Sequence, residues 1–351
     1  MADDLYVRLA EHLDKAIAGV PMSPTLLKIL AILYPGEEAE VALGLSFFEN
    51  RTAEGWREVM PEKADGLDGI LESMARRGTV YAEQKPGQKR TYRLLPSIVG
   101  FTETPFWAGK DTETARALAP LWLKYYSEEF GGELARGVPL VRVVPITESL
   151  DDASEILPFD ALAERIKDGA FIAVAHCPCR QIARYVGEGC DHSLENCLHF
   201  GGMARYIVEQ DMGRRIDKQE ALRILKDASE EGLVHVSDNI QGALSTICNC
   251  CSCCCVFLRS KNLAGHDCLS RSNYLARVDA DSCTACAVCE ERCPVGAVSV
   301  NGVAAVDEGM CIGCGVCTPT CGGEGAITLV LREEIKPPPD IPEFLAARMK
   351  T

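Results

Sequence analysis

The stretches CTACAVCEERCP at 283–294 and CIGCGVCTPTC at 311–321 contain eight cysteines at matching intervals. In both stretches the cysteines follow the pattern C-x2-C-x2-C-x3-C. Closely spaced thiolates can converge on one small centre, so the pattern indicates a metal or iron–sulfur site. A pair of zinc knuckles is the alternative, but the trailing fourth cysteine and the duplication favour iron–sulfur clusters.

The repeated pattern resembles that of the bacterial two-cluster ferredoxins. In that family the fourth cysteine of each run ligates the other cluster. The resemblance therefore implies two [4Fe–4S] clusters, one bound by Cys283, Cys286, Cys289 and Cys321, the other by Cys311, Cys314, Cys317 and Cys293. Gly322 stands where a proline often follows the last cysteine. Between the two runs, AVSVNGVAAVD predicts two short strands that turn at Asn301 and Gly302.

Composition narrows the class of protein. The 351 residues suffice for two or three domains, and the net charge of -15 disfavours nonspecific nucleic-acid binding. The amino terminus lacks an apolar core of signal-peptide length, and no run of 18 apolar residues occurs, so we expect a cytoplasmic protein without a membrane span. All nineteen cysteines lie between Cys177 and Cys321. In a reducing cytosol, such density favours metal ligands over disulfides.

Eleven further cysteines precede the ferredoxin-like part, six of them in CNCCSCCC at 248–255. We expect metal ligation by Cys177, Cys179, Cys190, Cys197, Cys248, Cys250, Cys251, Cys253, Cys254 and Cys255. The run FIAVA at 171–175 predicts a strand that delivers the first of these cysteines before a helix begins. Adjacent cysteines point in different directions on a regular backbone, so we expect the first five of the CNCCSCCC run to divide between sites. Two further clusters, or one cluster with a reactive thiol set, both remain open, and Cys268 is expected to be free.

Residues 1–105 contain no cysteine and predict helices followed by a β-hairpin with its turn at Pro86 and Gly87, which is a winged-helix pattern. Winged helices often bind DNA. Residues 1–110, however, hold 13 Lys and Arg against 16 Asp and Glu, and the helix that would enter the groove is acidic. We therefore expect this region to dock protein or to form a homodimer, and DNA binding is disfavoured.

These features together resemble a family of large 4Fe-4S ferredoxin-domain proteins of anaerobic bacteria, over nearly the whole chain. The motifs that carry the resemblance are CPCR, GCDHSLENCL, ICNCCSCCC, SNYLARVD and the two ferredoxin runs. It implies an α+β protein with a winged-helix-like domain at 1–105, a helical connector at 106–150, an α/β cysteine-rich domain at 151–273, a two-cluster ferredoxin domain at 274–334 and a Pro-rich tail at 335–351.

The expected function is low-potential electron transfer, in which two ferredoxin clusters and one or two central clusters exchange electrons with a partner such as a flavoprotein oxidoreductase. No nucleotide-binding signature supports an autonomous dehydrogenase, so the chain would be the electron-transfer component of an oxidoreductase complex, with no catalytic residue identified. Two alternatives stay open. One is a reductase with an open-site cluster at 248–255 that acts on a small substrate, and the other is a redox-sensing transcriptional regulator.

Overall fold

The computed structural model describes residues 2–146, 161–242, 244–322 and 325–348, which form a mixed helical and sheet protein, in keeping with the expected α+β class. No helix within these ranges is long and apolar enough to cross a membrane. One continuous apolar core extends from the amino-terminal helices to the ferredoxin-like strands. The cysteine-rich segments are therefore packed between the amino-terminal and carboxyl-terminal parts of the chain.

The amino-terminal part contains five helices and a three-stranded antiparallel sheet of order β1-β3-β2. The helices are α1 (Ala2–Leu13), α2 (Pro24–Leu33), α3 (Glu37–Gly44), α4 (Ala53–Val59) and α5 (Leu67–Arg77). The strands are β1 (Arg51–Thr52), β2 (Val80–Glu83) and β3 (Thr91–Leu94). The hairpin predicted at Pro86 and Gly87 is confirmed, because β2 and β3 pair on either side of that turn. Gly87 adopts a φ of 73°, which glycine tolerates.

A helical segment then crosses toward the cysteines. It comprises α6 (Thr104–Trp107), α7 (Glu113–Tyr125), a π-helical turn (Tyr126–Phe130) and α8 (Gly131–Leu134). Thr112 begins α7, because its hydroxyl accepts a hydrogen bond from Ala115 N at 3.1 Å. The predicted apolar stripe of α7 is buried at Leu118, Trp122 and Tyr125. The segment thus presents Trp107 and Tyr126 to the centre of the molecule.

The central sheet has seven strands in the order β10-β4-β8-β9-β6-β5-β7, and its pairs are antiparallel except β10 with β4. The strands are β4 (Val141–Val144), β5 (Ile172–His176), β6 (Glu195–Phe200), β7 (Arg214–Ile216), β8 (Val234–Asp238), β9 (Thr246–Cys250) and β10 (Leu269–Ser270). The accompanying helices are α9 (Leu162–Arg165), α10 (Pro178–Tyr185), α11 (Gly201–Glu209), α12 (Lys218–Glu230) and α13 (Val256–Ala264). Asp217 caps α12 by accepting a hydrogen bond from Glu220 N.

Sheet register brings distant cysteines together. In the pairing of β6 with β9, Leu198 lies opposite Ile247, and the next residues along these antiparallel strands are Cys197 and Cys248. The predicted strand at 171–175 is confirmed as β5, which ends one residue before Cys177. Neighbouring strands of one sheet therefore deliver cysteines from three separate segments to the same region.

The carboxyl-terminal part contains two small antiparallel ladders, β11 with β14 and β12 with β13. Its elements are β11 (Tyr274–Val278), α14 (Val288–Arg292), β12 (Val298–Asn301), β13 (Val303–Val306), β14 (Ile327–Leu331) and α15 (Ile341–Arg348). The predicted turn at Asn301 and Gly302 is confirmed by the pairing of β12 with β13. Helix α15 is fixed to the rest of the protein because the buried Arg348 donates hydrogen bonds to the carbonyls of Ile17 and Glu133.

Candidate metal centres

The eight ferredoxin-like cysteines line two separate cavities, four cysteines to each. Cavity A has a volume of about 280 Å³ and is lined by Cys283, Cys286, Cys289 and Cys321. Cavity B has a volume of about 320 Å³ and is lined by Cys293, Cys311, Cys314 and Cys317. Each cavity thus contains three cysteines of one run and the fourth cysteine of the other run. This is the division that the ferredoxin resemblance implies.

The loops around cavities A and B have backbone geometry suited to sulfur ligands. Ala285 and Ala287 adopt φ values of 53° and 62°, a left-handed conformation that alanine rarely takes. Backbone N–H groups already point at two of the thiols, Ala297 N at Cys293 Sγ (3.1 Å) and Ala304 N at Cys283 Sγ (3.4 Å). Such N–H donors stabilise negative charge on cluster sulfur.

The two cavities differ in exposure. Cys286 of cavity A is exposed, and hydrogen bonds from the backbone N–H groups of Val288 and Gly322 lower the pKa of its thiol. Cys314 of cavity B is buried, and burial raises the pKa of its thiol to about 12. Cavity A therefore lies nearer to solvent than cavity B.

Seven of the ten central cysteines line a third cavity, which we call the central cavity. Its volume is about 630 Å³, roughly twice that of cavity A or cavity B. One of the seven, Cys251, belongs to a second group of thiols described below. The other six, which we call the central thiols, are Cys177, Cys179, Cys197, Cys248, Cys250 and Cys255. They come from the end of β5, the start of α10, β6, β9 and the residue that precedes α13.

The central thiols form a continuous series of neighbours. Side-chain hydrogen bonds connect Cys177 to Cys179, Cys179 to Cys255, Cys255 to Cys250, Cys250 to Cys248 and Cys248 to Cys197. Within this series, hydrogen bonds from its two neighbours lower the pKa of Cys248 well below the usual value, against the opposing effect of burial. The fold thus assembles six thiols, each next to at least one other, around one cavity.

The other four central cysteines lie together at the edge of this region, and we call them the rim thiols. The sulfur atoms of Cys190, Cys251, Cys253 and Cys254 are all within 4.8 Å of one another. Four thiols are the number of protein ligands that a [4Fe–4S] cluster or a zinc ion takes. Neighbouring sulfur atoms of this group lie 3.5 to 3.9 Å apart, which is the spacing of thiolates around one tetrahedral metal ion, so a cubane would require these side chains to move apart. Cys251 also lines the central cavity, so the two thiol sets are adjacent. Sequence reasoning predicted that the CNCCSCCC run divides between sites, but not that Cys255 would belong to the central thiols.

A buried arginine lies between the two thiol sets. The guanidinium of Arg180 donates hydrogen bonds to the carbonyls of Ser193 and Asn249. Its side chain is fully buried, and burial acts to lower its pKa, but the nearby cysteines of both sets outweigh burial and raise it. Arg180 is therefore a fixed positive charge beside groups that become negative when they bind metal. The sequence marked Arg180 only as part of the CPCR motif.

Glu103 and His199 also line the central cavity, and the sequence did not identify them as residues of the site. Glu103 precedes α6 and accepts hydrogen bonds from Gly100 N and the Thr102 hydroxyl, and burial raises its pKa to about 8. His199 Nε2 lies 3.3 Å from Cys197 Sγ, and burial lowers the pKa of this imidazole to about 4. His192 Nδ1 lies 3.4 Å from a carboxylate oxygen of Glu231. No sequence signal connected Glu103 to the cysteines 74 or more positions away.

Cavity B faces the cysteine-rich part of the chain. Arg292, at the end of α14, donates one hydrogen bond to Val316 O and others to the carbonyls of Ser229 and Glu230 at the end of α12. Asn262 on α13 donates to Pro294 O at 2.8 Å. Helix α12 also packs against the rim thiols through Ala228. Cavity B and the rim thiols thus share α12 as a common neighbour.

Cys268 lies apart from these sets. It is fully buried, its thiol lies 3.7 Å from the carbonyl oxygen of Gly131, and burial raises its pKa to about 11. Cys268 lines neither cavity A, cavity B nor the central cavity.

Comparison with known proteins supports an iron–sulfur site at the first ferredoxin-like run. A family model described as a 4Fe-4S binding domain matches residues 276–299, which include the first ferredoxin-like run. No curated protein and no solved structure matches the chain. The matched domain indicates a 4Fe-4S cluster, and the rim thiols form a further group suited to metal. The chain therefore contains a 4Fe-4S binding domain, which together with its further cysteine clusters indicates an iron–sulfur electron-transfer protein.

Proposed function

We propose that the protein carries low-potential electrons through two ferredoxin clusters, in cavities A and B, to further clusters at the central cysteines. The observation that carries this proposal is the division of the eight ferredoxin-like cysteines into two four-thiol cavities that exchange their fourth cysteine. Two cubanes held in this way lie close to each other, which permits rapid electron exchange between them. On this proposal residues 274–334 are the ferredoxin domain.

The difference in solvent exposure between cavity A and cavity B indicates the order in which electrons would pass through the sites. Cavity A has an exposed cysteine and would exchange electrons with a partner protein, whereas cavity B is joined to α12 by Arg292. The rim thiols pack against the same helix and adjoin the central cavity through Cys251. Electrons would therefore pass from cavity A to cavity B, then to a cubane at the rim thiols, and finally to the central thiols.

The partner that we propose is a flavoprotein oxidoreductase, because flavins exchange single electrons with iron–sulfur clusters. Exposed acidic residues flank the first three cysteines of cavity A in the sequence, namely Asp279, Asp281, Glu290 and Glu291. The partner would present a basic surface to this region. The chain would be the electron-transfer component of such a complex in an anaerobic cytoplasm.

For the amino-terminal part we propose a winged-helix domain at 1–105, joined by a connector at 106–150 to the cysteine-rich domain at 151–273. The order β1-β3-β2 after a set of helices supports this assignment. The acidic balance of the region favours protein docking or a homodimer contact over DNA binding. Residues 335–351 would form the tail, of which residues 341–348 are helical.

Electron transfer to flavodoxin, used as a low-potential flavoprotein probe, tests the proposal. We expect the anaerobically reduced protein to show EPR signals of reduced [4Fe–4S] clusters and to reduce flavodoxin. A variant with Cys286→Ala and Cys289→Ala is expected to lose this transfer, while Cys268→Ala, outside both thiol sets, retains it. An unchanged rate in the Cys286→Ala and Cys289→Ala variant would contradict the proposed entry through cavity A.

A further inference from the structure

We infer that the central cavity binds an iron–sulfur cluster larger than one cubane, with the six central thiols as its ligands. The inference deepens the proposed function, because it concerns the cluster at the end of the proposed electron path. It rests on the number of thiols, the volume of the cavity and the separate location of the rim thiols.

The number of thiols exceeds what one cubane uses. A [4Fe–4S] cubane has one terminal ligand position on each iron, and cavities A and B each provide four cysteines for these positions. Seven cysteines line the central cavity, and Cys251 among them belongs to the rim thiols. The remaining six, the central thiols, each lie within hydrogen-bond reach of at least one other. Two cubanes joined by one bridging sulfide would use three thiolates on each half, which gives six.

The volume of the cavity agrees with the number of thiols. The central cavity measures about 630 Å³, against about 280 Å³ for cavity A and about 320 Å³ for cavity B. Because A and B have the ligand sets of single cubanes in the same molecule, they are an internal scale for the space that one cubane occupies. On that scale the central cavity is about twice as large as either single-cubane site, which favours a larger cluster.

The rim thiols form a ligand set that is separate from the central thiols. Cys190, Cys253 and Cys254 do not line the central cavity, and only Cys251 among the rim thiols does. The rim thiols therefore supply a complete ligand set of their own without using any of the six central thiols. The surroundings of the central cavity also suit a large cluster, because Ile98, Val99, Trp107 and Phe257 give it an apolar wall.

Six thiolates would occupy every terminal iron position of two cubanes joined in this way. Such a cluster has no open iron for a substrate, so the inference favours an electron-storing centre over the open-site reductase considered from the sequence. Two coupled cubanes can accept more than one electron. The site would thus collect electrons that arrive singly through cavities A and B.

Native mass spectrometry and Mössbauer spectroscopy of the anaerobically purified full chain test the inference. The variant Cys248→Ala with Cys250→Ala is expected to lose about eight irons, because it removes two of the six ligands. The matched rim variant, Cys190→Ala with Cys254→Ala, is expected to lose about four irons. A loss of about four irons, or of none, from the Cys248 and Cys250 variant would overturn the inference.

Two further iron measurements test the inference if the first variant does not fold, and separate it from the proposed ferredoxin function. If the variant fails to fold, the wild-type chain alone decides, since a joined cluster predicts about twenty irons and a single central cubane about sixteen or fewer. The variant Cys314→Ala with Cys317→Ala tests the ferredoxin part separately, by an expected loss of about four irons. If it loses none, the proposed electron path fails while the comparison of rim and central variants still stands.

Discussion

The guanidinium of Arg180 donates a hydrogen bond to the backbone carbonyl of Asn249, the residue between Cys248 and Cys250. Arg180 follows Cys179 directly, so this bond connects the two cysteine-rich segments across 69 positions of sequence. It also places a buried positive charge beside both the central thiols and the rim thiols. Arg180 therefore contributes both a positive charge and a link between the two cysteine-rich segments at the centre of the molecule.

Replacing Arg180 tests its electrostatic role. We expect Arg180→Gln to lower the reduction potentials of the central clusters by on the order of tens of millivolts, because a nearby positive charge stabilises the more negative reduced state. Arg180→Lys keeps the charge and should retain most of the wild-type potential. EPR-monitored redox titration measures both variants, and the signals from cavities A and B are the internal reference. Equal shifts in the Gln and Lys variants would argue against a charge effect.

Paired substitutions test the exchange of the fourth cysteine between the two ferredoxin-like runs. Cys286→Ala with Cys321→Ala removes two thiols from cavity A and is expected to cost about four irons. Cys314→Ala with Cys321→Ala removes one thiol from each cavity and is expected to affect both clusters, with loss of up to about eight irons. Iron analysis of anaerobic samples gives the answer. If each run held its own cluster, the two variants would show the reverse order of loss.

A glycine in the second run tests how tightly its loop is packed. Gly313 has a φ of 67°, and a Cβ there would lie 2.2 Å from both Ser272 Oγ and Tyr274 O. Gly302 has a φ of 78° but has nothing within 4 Å of such a Cβ. We therefore expect Gly313→Ala to lower the free energy of unfolding by about 1–3 kcal/mol more than Gly302→Ala does. Anaerobic denaturant titration measures the difference, and equal effects would contradict the packing described here.

Burial of Glu103 predicts a pH dependence of stability. Burial raises the pKa of its carboxyl to about 8 in the folded protein, above its usual value of 4.5. The folded state then binds the proton more tightly, so this group stabilises the fold fully below pH 4.5, and the contribution is lost as pH rises toward 8. Glu103→Gln should therefore remove a decline in stability of on the order of a few kcal/mol across this range. Denaturation midpoints from about pH 6 to about pH 8.5 are the measurement, and parallel curves for the two proteins would refute it.

The local structure that the sequence predicted best is that fixed by short-range chemistry. The hairpins at Gly87 and Gly302 and the strand at 171–175 follow from turn residues and strand periodicity. The spacing of the ferredoxin-like runs likewise indicates metal ligands from a local pattern alone. These signals lie within a few residues of the features that they specify.

What the sequence did not reveal depends on pairings between distant segments. The separation of rim thiols from central thiols follows from the pairing of β6 with β9, which brings Cys197 close to Cys248. Glu103 and Trp107 reach the same cavity only because α6 packs over the cysteines. Spacing within CNCCSCCC shows that its thiols must divide, but the three-dimensional pairing decides which of them lie together.

The iron and acid-labile sulfide content of the full chain, purified without oxygen, tests the central claim most directly. The claim is that the central cysteines bind iron–sulfur clusters in addition to the two ferredoxin cubanes. It predicts more iron per chain than the roughly eight atoms that two cubanes hold, and a similar amount of acid-labile sulfide. A value of about eight irons or fewer in fully reconstituted protein would contradict it, because two cubanes alone account for that amount.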